Sequence, residues 1–353
     1  MAKKSFAAAS TLRPVSMPRF TVDGVPIEVA FEEVPLDEVR LDPDNPRIRE
    51  RLRLKGNTDP SPEDLQALIR EVPEYNPLQA NIRENKGLRE PILILADGLV
   101  VEGNCRTVAF QVLRKAQASA EHWKRIPAYR LPADVKPRQI AVLLGQYHVK
   151  GKITWPAHEK AGHLHHMHKE LKLSPAEIGT SLGLGETDVV RNIQAYEFMR
   201  NEVLPQLKRP AGGKGKADGL DKFSYVLEFF KGKKLEEFRS KPANAKQFAQ
   251  LVAQGRIEGG ANVRSLHKVL ANPRATEVLK KEGFGKAIAV VGRSDPTADS
   301  KLFLLLKKTS KALSGMRGPE LARLKAGQNE QNILRELHAT LKGVADTAKV
   351  RLD

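Results

Sequence analysis

The spacing of apolar and polar residues divides the chain into a mixed first part and a helical second part. Residues 21–50 contain two short β-like runs, followed by the Pro-rich turn DPDNPRI. Residues 61–71 predict a short helix, because Ser61 is a suitable N-cap and Leu65 and Ile69 lie one helical turn apart.

Two further β-like runs follow in PILILADGLVVEG, and the dipeptide Asp97-Gly98 between them favours a tight hairpin turn. Residues 104–116 then predict a helix, and residues 126–131 predict another strand. From residue 139 onward the alternation typical of strands is almost absent. The fold class we predict is α+β: an N-terminal mixed α/β domain, then an all-α helix-turn-helix and a helical C-terminal domain.

Changes in pattern and composition give the expected domain boundaries. We predict a basic disordered tail and first strand (1–30), a mixed α/β domain (31–138), a helix-turn-helix domain (139–203), a basic Gly/Lys linker (204–222) and a helical C-terminal domain (223–353).

A helix-turn-helix is predicted over residues 174–199. Ser174 and Glu177 form a capping box, and Gly183 suits the turn between the helices. The expected inward-facing residues are Ile178, Leu182, Val189, Val190 and Ile193. The second helix offers polar residues that are suited to base edges in a major groove, namely Thr187, Arg191, Asn192 and Gln194. The alternative is a plain helical hairpin, because the acidic residues Glu186 and Asp188 would repel phosphate.

The charge of the chain favours a polyanionic partner such as DNA. The formal net charge of +17 is uneven: residues 1–100 carry −3, residues 101–200 carry +6 and residues 201–353 carry +14. Phosphate backbones bind such basic surfaces with release of counterions. In the linker, Lys214 and Lys216 are candidate phosphate contacts. A solvated, Lys-rich surface is the alternative interpretation.

Four stretches in the first 200 residues resemble the ParB family and its wider ParB/sulfiredoxin superfamily. They are LDEVRLDPDNPRI (36–48), LQALIRE (65–71) with GLREPILIL (87–95), DGLVVEGNCRTVAFQVL (97–113), and LLGQYHVKG (143–151) before the helix-turn-helix. The resemblance spans about residues 33–200 and implies a ParB/sulfiredoxin-like fold that binds CTP or another nucleoside triphosphate with Mg²⁺.

The resemblance also implies a nucleotide site. Gly87 and Pro91 match the base-side turn, and Gly103 and Arg106 match the phosphate-binding turn at a helix N-terminus. The candidate nucleotide-binding residues are Gly87, Pro91, Glu102, Gly103, Asn104, Cys105, Arg106, Gln146 and His148.

This chain departs from the ParB pattern at several of these positions. Asn104 and Cys105 replace an acid and an arginine, and Gly145 and Gln146 replace the Glu-Asn pair that the family links to metal and hydrolysis. ParB-type CTP hydrolysis is therefore disfavoured. Arg106 has an alternative role as the partner of a local acid such as Glu102.

The remaining features bound the cellular setting. The single cysteine, Cys105, rules out an internal disulfide, favours a reducing cytoplasm and is best interpreted as a small buried thiol. Four histidines in HLHHMHKE lack a convincing set of further ligands, so we predict no metal site. No apolar run is long enough to cross a bilayer, so no membrane partner is expected.

Self-association is expected at the C-terminus. Leucines and small apolar residues there follow heptad spacing, at Leu334, Leu337, Leu341, Val344 and Ala348. A homodimer through these helices is one interpretation, and packing against the apolar helix 301–313 is the other.

Three functions follow as hypotheses. The first is a ParB-like, nucleotide-gated DNA-binding protein in plasmid or chromosome partition, transcription or mobile-element defence. The second is a nucleotide-dependent nuclease or kinase-like enzyme on the same fold, with Glu102 as a base. The third is an adaptor whose basic C-terminal half binds RNA or an acidic protein.

Overall fold

The computed structural model describes residues 20–149, 155–207 and 219–351. The chain divides into two compact units, Met1–Arg264 and Ser265–Asp353. The linker lysines Lys214 and Lys216, the tail 1–19 and most of the predicted linker lie outside the described residues. The predicted domain boundaries stay predictions.

The strands of the first unit form a hairpin and a separate five-stranded sheet. The strands are β1 (Phe20–Val22), β2 (Val25–Ile27), β3 (Ala30–Pro35), β4 (Arg40–Leu41), β5 (Ile92–Ile94), β6 (Leu99–Glu102) and β7 (Arg125–Arg130). The hairpin pairs β1 with β2, and the sheet has the order β3-β7-β5-β6-β4. β5 and β6 pair antiparallel around Gly98, which has a φ of 84°. The hairpin turn predicted at Asp97-Gly98 is confirmed.

Helices fill the rest of the first unit and all of the second. They are α1 (Pro46–Leu54), α2 (Pro62–Arg70), α3 (Tyr75–Asn85), α4 (Asn104–Ala116), α5 (Pro137–His148), α6 (Ala157–Lys169), α7 (Pro175–Leu182), α8 (Glu186–Phe198), α9 (Phe223–Lys231), α10 (Glu236–Ser240), α11 (Pro242–Ala253), α12 (Gly260–Leu270), α13 (Pro273–Glu282), α14 (Phe284–Gly292), α15 (Lys301–Ser314), α16 (Gly318–Ala326) and α17 (Gln328–Ala348). The predicted class, a mixed α/β part followed by helices, is confirmed.

The sequence patterns missed α1 and α3, and proline explains both omissions. Asn45 caps α1 by accepting a hydrogen bond from the Arg47 backbone, and Pro46 occupies the first helical position. Proline is well tolerated there because the first-turn N–H has no intrahelical partner. Of the two prolines in DPDNPRI, Pro43 lies in the predicted turn and Pro46 begins α1. Pro77 lies in the first turn of α3.

The sheet is buried on both faces. Ile92, Ile94 and Val100 face a core formed with α1–α4. Leu93 and Val101 face the opposite way, into a second core that contains hairpin residues and side chains of α5–α8. The hairpin contribution is Val22, Ile27 and Val29. The sheet, the hairpin and the helices α5–α8 therefore share a continuous apolar interior.

A turn with a left-handed glycine joins α7 to α8. Ser174 and Glu177 form the predicted capping box, and Gly183 has a φ of 60°. A Cβ on Gly179 would lie 2.9 Å from the Leu184 carbonyl oxygen, so the backbone approaches too closely there for a larger residue. The predicted inward residues Ile178, Leu182, Val189 and Ile193 are buried, whereas Val190 is half-buried.

In the second unit, α15 and α17 leave apolar side chains in contact with solvent. Leu302, Phe303 and Leu305 of α15 are exposed, as are Leu341 and Val344 of α17. Within residues 20–149, 155–207 and 219–351, none of the helices combines the length and apolar character needed to cross a bilayer.

Candidate functional site

The turn before α4 presents backbone donors at a helix N-terminus. Gly103 is the N-cap, with a φ of 98°, and no side chain caps the helix. A Cβ at this position would lie 2.6 Å from Ile92 Cγ2 and 3.1 Å from Arg106 Nε. Glycine is therefore needed for both backbone conformation and space. The first N–H groups of α4 have no intrahelical acceptor, which makes this end of the helix attractive to anions.

Arg106 joins this turn to the segment before β5. Its Nη1 donates to the carbonyl oxygens of Glu90, at 2.8 Å, and Pro91, at 3.2 Å. Its Nη2 donates to the Glu102 carboxylate in a close ion pair. The structure therefore brings Pro91, Glu102 and Arg106 together, and the pairing of Arg106 with Glu102 is present.

His148 approaches Glu102 from α5. His148 Nε2 lies 3.3 Å from Glu102 Oε1, and its ring stacks on Trp155 with centroids 4.5 Å apart. Burial alone would raise the pKa of Glu102, but the hydrogen bond from His148 and the charge of Arg106 outweigh it, so the pKa is lowered. Glu102 is therefore ionised at neutral pH, and its lowered pKa makes it a weak general base.

The Asn104 side chain forms hydrogen bonds within the fold, and Cys105 packs against the sheet core. The Asn104 amide accepts from the Asp42 backbone N–H at 3.1 Å and donates to the Val100 carbonyl at 3.0 Å. Cys105 is half-buried against the sheet core, and burial raises the pKa of its thiol. The thiol predicted to be buried is therefore only half-buried. Any ligand contact by these residues would be made through their backbone N–H groups.

Two other candidate residues, Gly87 and Gln146, lie at the surrounding surface. Gly87 follows the end of α3, where its N–H donates to the Ile82 carbonyl, and Gln146 is exposed on α5.

Arg47 was not among the predicted nucleotide-binding residues. Its side chain is largely buried and ion-pairs with Glu74 at 3.4 Å. Its charge helps to lower the pKa of Glu102 and partly offsets the burial that raises the pKa of Cys105. The only sequence signal was its place in the DPDNPRI motif.

The second candidate site is the outer face of α8. Thr187 and Gln194 are exposed and Arg191 is half-buried, and helical spacing places all three opposite Val189, Ile193 and Tyr196. Arg191 Nη1 donates to Asp188 at 2.6 Å. Asn192 lies at the edge of this face, with its amide bonded to the Asp188 carbonyl. The outer face therefore combines donors and acceptors suited to base edges.

A basic surface from the end of α9 to the start of α11 adjoins α8, and the sequence analysis did not single it out. Its members, which we call the α9–α11 basic surface, are Lys231, Lys233, Lys234, Arg239 and Lys241. Phe198 of α8 packs its ring against Phe230 of α9. Arg239 is close enough to Arg191 that, after burial, the charge of Arg191 contributes to lowering the pKa of Arg239. The density of lysine in KGKKLEEFRSK was the available signal.

A buried carboxylate connects the α/β part to α8. Glu50 of α1 accepts from the Tyr196 hydroxyl at 2.9 Å and also binds Arg53. Burial would raise the pKa of Glu50, but the hydrogen bonds from Arg53 and Tyr196 outweigh it, so the pKa lies below its ordinary value of 4.5. The orientation of α8 is thus tied to α1 by a charged hydrogen bond.

Glu50→Gln should lower the free energy of unfolding by about 1–3 kcal/mol at pH 7, because a charge-assisted bond is lost inside the protein. Since the pKa of Glu50 is depressed in the folded state, its contribution is complete above pH 4.5 and is lost as the pH falls through the folded-state pKa. Urea denaturation from pH 7 down to about pH 3 should show a constant difference above pH 4.5 and convergence of the two proteins below it. The exposed Glu121→Gln is the control, and a pH-independent difference would contradict the assignment.

The similarity of this chain to known proteins is found among solved structures. No protein-family model matches the chain, and no curated protein matches it. Among solved structures, it is similar to the C-terminally truncated chromosome-partitioning protein ParB from Caulobacter crescentus complexed to the centromeric parS site. The identity is 14%, 67% of this chain and 98% of that chain are covered, and the TM-score is 0.32.

Two other structures are similar. The same Caulobacter crescentus protein complexed with CTP-γ-S is 16% identical, covers 63% of this chain and 98% of that chain, and gives a TM-score of 0.21. A pNOB8-like ParB N-domain is 13% identical, covers 86% of this chain and 97% of that chain, and gives a TM-score of 0.25. At these TM-scores the function has to be argued from the residues of this chain.

Proposed function

We propose that this chain is a ParB-like DNA-binding protein in which α7 and α8 form a helix-turn-helix and α8 enters the major groove. The observation that carries the proposal is the outer face of α8, which offers Thr187, Arg191 and Gln194 to solvent while the opposite face is buried. A helix in a major groove requires this division of faces.

Electrostatics supports the same assignment. The acidic residues Glu186 and Asp188 at the start of α8 are unfavourable for phosphate, but the α9–α11 basic surface follows α9, which packs on α8. It has five cationic side chains, of which Lys231 and Lys241 are ion-paired with Glu228 and Glu237. Phosphate contacts fix the position of a protein on DNA, whereas base contacts select the sequence. We assign the phosphate contacts to the α9–α11 basic surface and the base contacts to α8. Lys214 and Lys216 are proposed as additional phosphate contacts.

We further propose that the turn before α4 binds the phosphates of a nucleoside triphosphate, with CTP as the first to test and Mg²⁺ as the counterion. The backbone donors after Gly103, together with Arg47 and Arg106, supply the positive charge. Pro91, which matches the base-side turn of the resemblance, is proposed to lie toward the base, and its carbonyl accepts a hydrogen bond from Arg106. The biological setting we favour is plasmid partition, with transcription and mobile-element defence as the alternatives, in the cytoplasm.

The test of DNA binding is fluorescence anisotropy of the full chain with labelled random duplex and with duplexes enriched by selection, at several salt concentrations. The logarithm of the binding constant should fall linearly with the logarithm of the salt concentration, with a slope of about −0.9 per phosphate contact. Binding that is absent, or insensitive to salt, would overturn the proposal.

Dimerisation through the C-terminal helices is proposed from the second unit alone. Leu334 and Leu341 of α17 are each 39% exposed, and with Leu313 of α15 they line an open apolar groove. A groove of this kind is suited to the helices of a second copy, because exposed heptad positions are buried by helix pairing.

Leu334→Glu/Leu341→Glu is expected to reduce the molar mass in solution from that of a dimer to that of a monomer, because charged side chains would enter the seam. Light scattering coupled to size-exclusion chromatography measures this mass. Thr340→Glu adds charge to an exposed position of the same helix and should leave the dimer intact. A monomeric wild-type protein at micromolar concentration would contradict this assignment.

A further inference from the structure

The turn before α4 already contains a negatively charged side chain of the protein itself, the carboxylate of Glu102. The Glu102 carboxylate is ion-paired with Arg106 Nη2, and its other oxygen lies 3.3 Å from His148 Nε2. The Glu102 side chain is only 17% exposed and that of Arg106 only 15% exposed. The carboxylate of Glu102 therefore lies between Arg106 and His148, where a bound anion would also be attracted.

Both terminal nitrogens of the Arg106 guanidinium are already engaged within the chain. Its Nη1 is shared between two carbonyl oxygens, and its Nη2 is bonded to Glu102. A phosphate that approached Arg106 would meet an ionised carboxylate within the same small volume. Like charges at such short range are strongly unfavourable, more so where burial reduces solvent screening.

Arg47 adds little uncompensated positive charge to the site. It is largely buried and is ion-paired with Glu74, so it is already partly neutralised. The net positive charge that the site presents is therefore small while Glu102 is bound to Arg106. Movement of this one carboxylate would increase the charge by one unit and release two donors, Arg106 Nη2 and His148 Nε2.

We propose that Glu102 is an internal competitor for the anion site, and that a polyphosphate binds there by displacing the carboxylate from Arg106. This inference rests on the proposed nucleotide site and adds its regulation: the affinity for phosphate is set by how readily Glu102 leaves. Glu102 is a positioning residue, because it affects the ligand only by occupying Arg106.

The test is calorimetry of the full chain with sodium tripolyphosphate and, separately, with CTP, both in EDTA. Glu102→Gln keeps the shape of the side chain and removes its charge, so each ligand should bind about tenfold more tightly or better than to wild type. Glu102→Asp keeps the charge but withdraws it by one methylene, and should give an intermediate affinity. Glu121→Gln is the matched control, because Glu121 is exposed and lies beyond the C-terminal end of α4. This variant should bind each ligand as tightly as wild type does.

The outcomes separate the inference from the function on which it rests. Equal binding by wild type and Glu102→Gln would overturn the competitor role and leave the nucleotide site intact. Weaker binding of CTP by Glu102→Gln in Mg²⁺, with no gain in EDTA, would make Glu102 a cation ligand and would also overturn it. Binding by none of the variants would overturn the nucleotide site itself. Circular dichroism melts establish that each variant is folded, and Glu102→Asp tests the proposal if Glu102→Gln does not fold.

Discussion

Gly103→Ala is expected to lower the free energy of unfolding by about 2–5 kcal/mol. A left-handed backbone costs a non-glycine residue about 1–2 kcal/mol, and crowding in a packed interior adds about 1–3 kcal/mol. Both apply here, because Gly103 has a φ of 98° and its added Cβ would lie 2.6 Å from Ile92 Cγ2. Urea denaturation monitored by circular dichroism measures the change.

The matched control for this change is Gly87→Ala. Gly87 has no atom within 4 Å of an added Cβ, and its backbone is outside the left-handed region. The control should alter the free energy of unfolding by less than about 1 kcal/mol. Equal losses at the two positions would mean that the turn before α4 is not held in the conformation described.

Combined removal of Thr187, Arg191 and Gln194 side chains should have the largest effect on function. Each base contact contributes about 1–3 kcal/mol of discrimination, so the triple alanine variant should lose about 100-fold or more in affinity for a selected duplex. Affinity for random duplex should fall much less, because phosphate contacts remain. Competition anisotropy with the two duplexes measures both constants.

A second variant tests the other half of the interface. Lys233→Ala/Lys234→Ala/Lys241→Ala should weaken binding to both duplexes and reduce the salt dependence, since these residues are assigned to phosphate. Arg83→Ala, on the exposed surface of α3, serves as the control. If the α8 variant lost affinity equally for selected and random DNA, α8 would not be the helix that recognises sequence.

The sequence predicted the parts of the fold that depend on local patterns. The Asp97-Gly98 hairpin, the helix of Ser61, and the two helices around Gly183 all follow from turn residues, caps and spacing within a few positions. The starts of α1 and α3 were missed because proline is compatible with both a turn and the first turn of a helix. Local sequence does not distinguish these two uses.

The candidate sites likewise combine residues that are close in sequence, which were predicted, with residues that only the fold brings together, which mostly were not. Gly103, Glu102 and Arg106 are near one another in sequence, and their pattern drew attention to them. Arg47 and His148 come from α1 and α5, and only the folded chain brings their charges to the same turn. The placement of the α9–α11 basic surface beside α8 likewise depends on aromatic packing between helices rather than on any local motif.

The packing of the β1–β2 hairpin against α5–α8 restricts how these segments can evolve independently. Val22, Ile27 and Val29 are buried with side chains of α5–α8, and Leu93 and Val101 of the sheet enter the same interior. A gene fusion that transplanted only residues 139–203 onto another protein would leave that interior open to water. We therefore expect the sheet and the helix pair to be inherited as one piece, with new specificity arising by substitutions on α8 rather than by exchange of the whole segment.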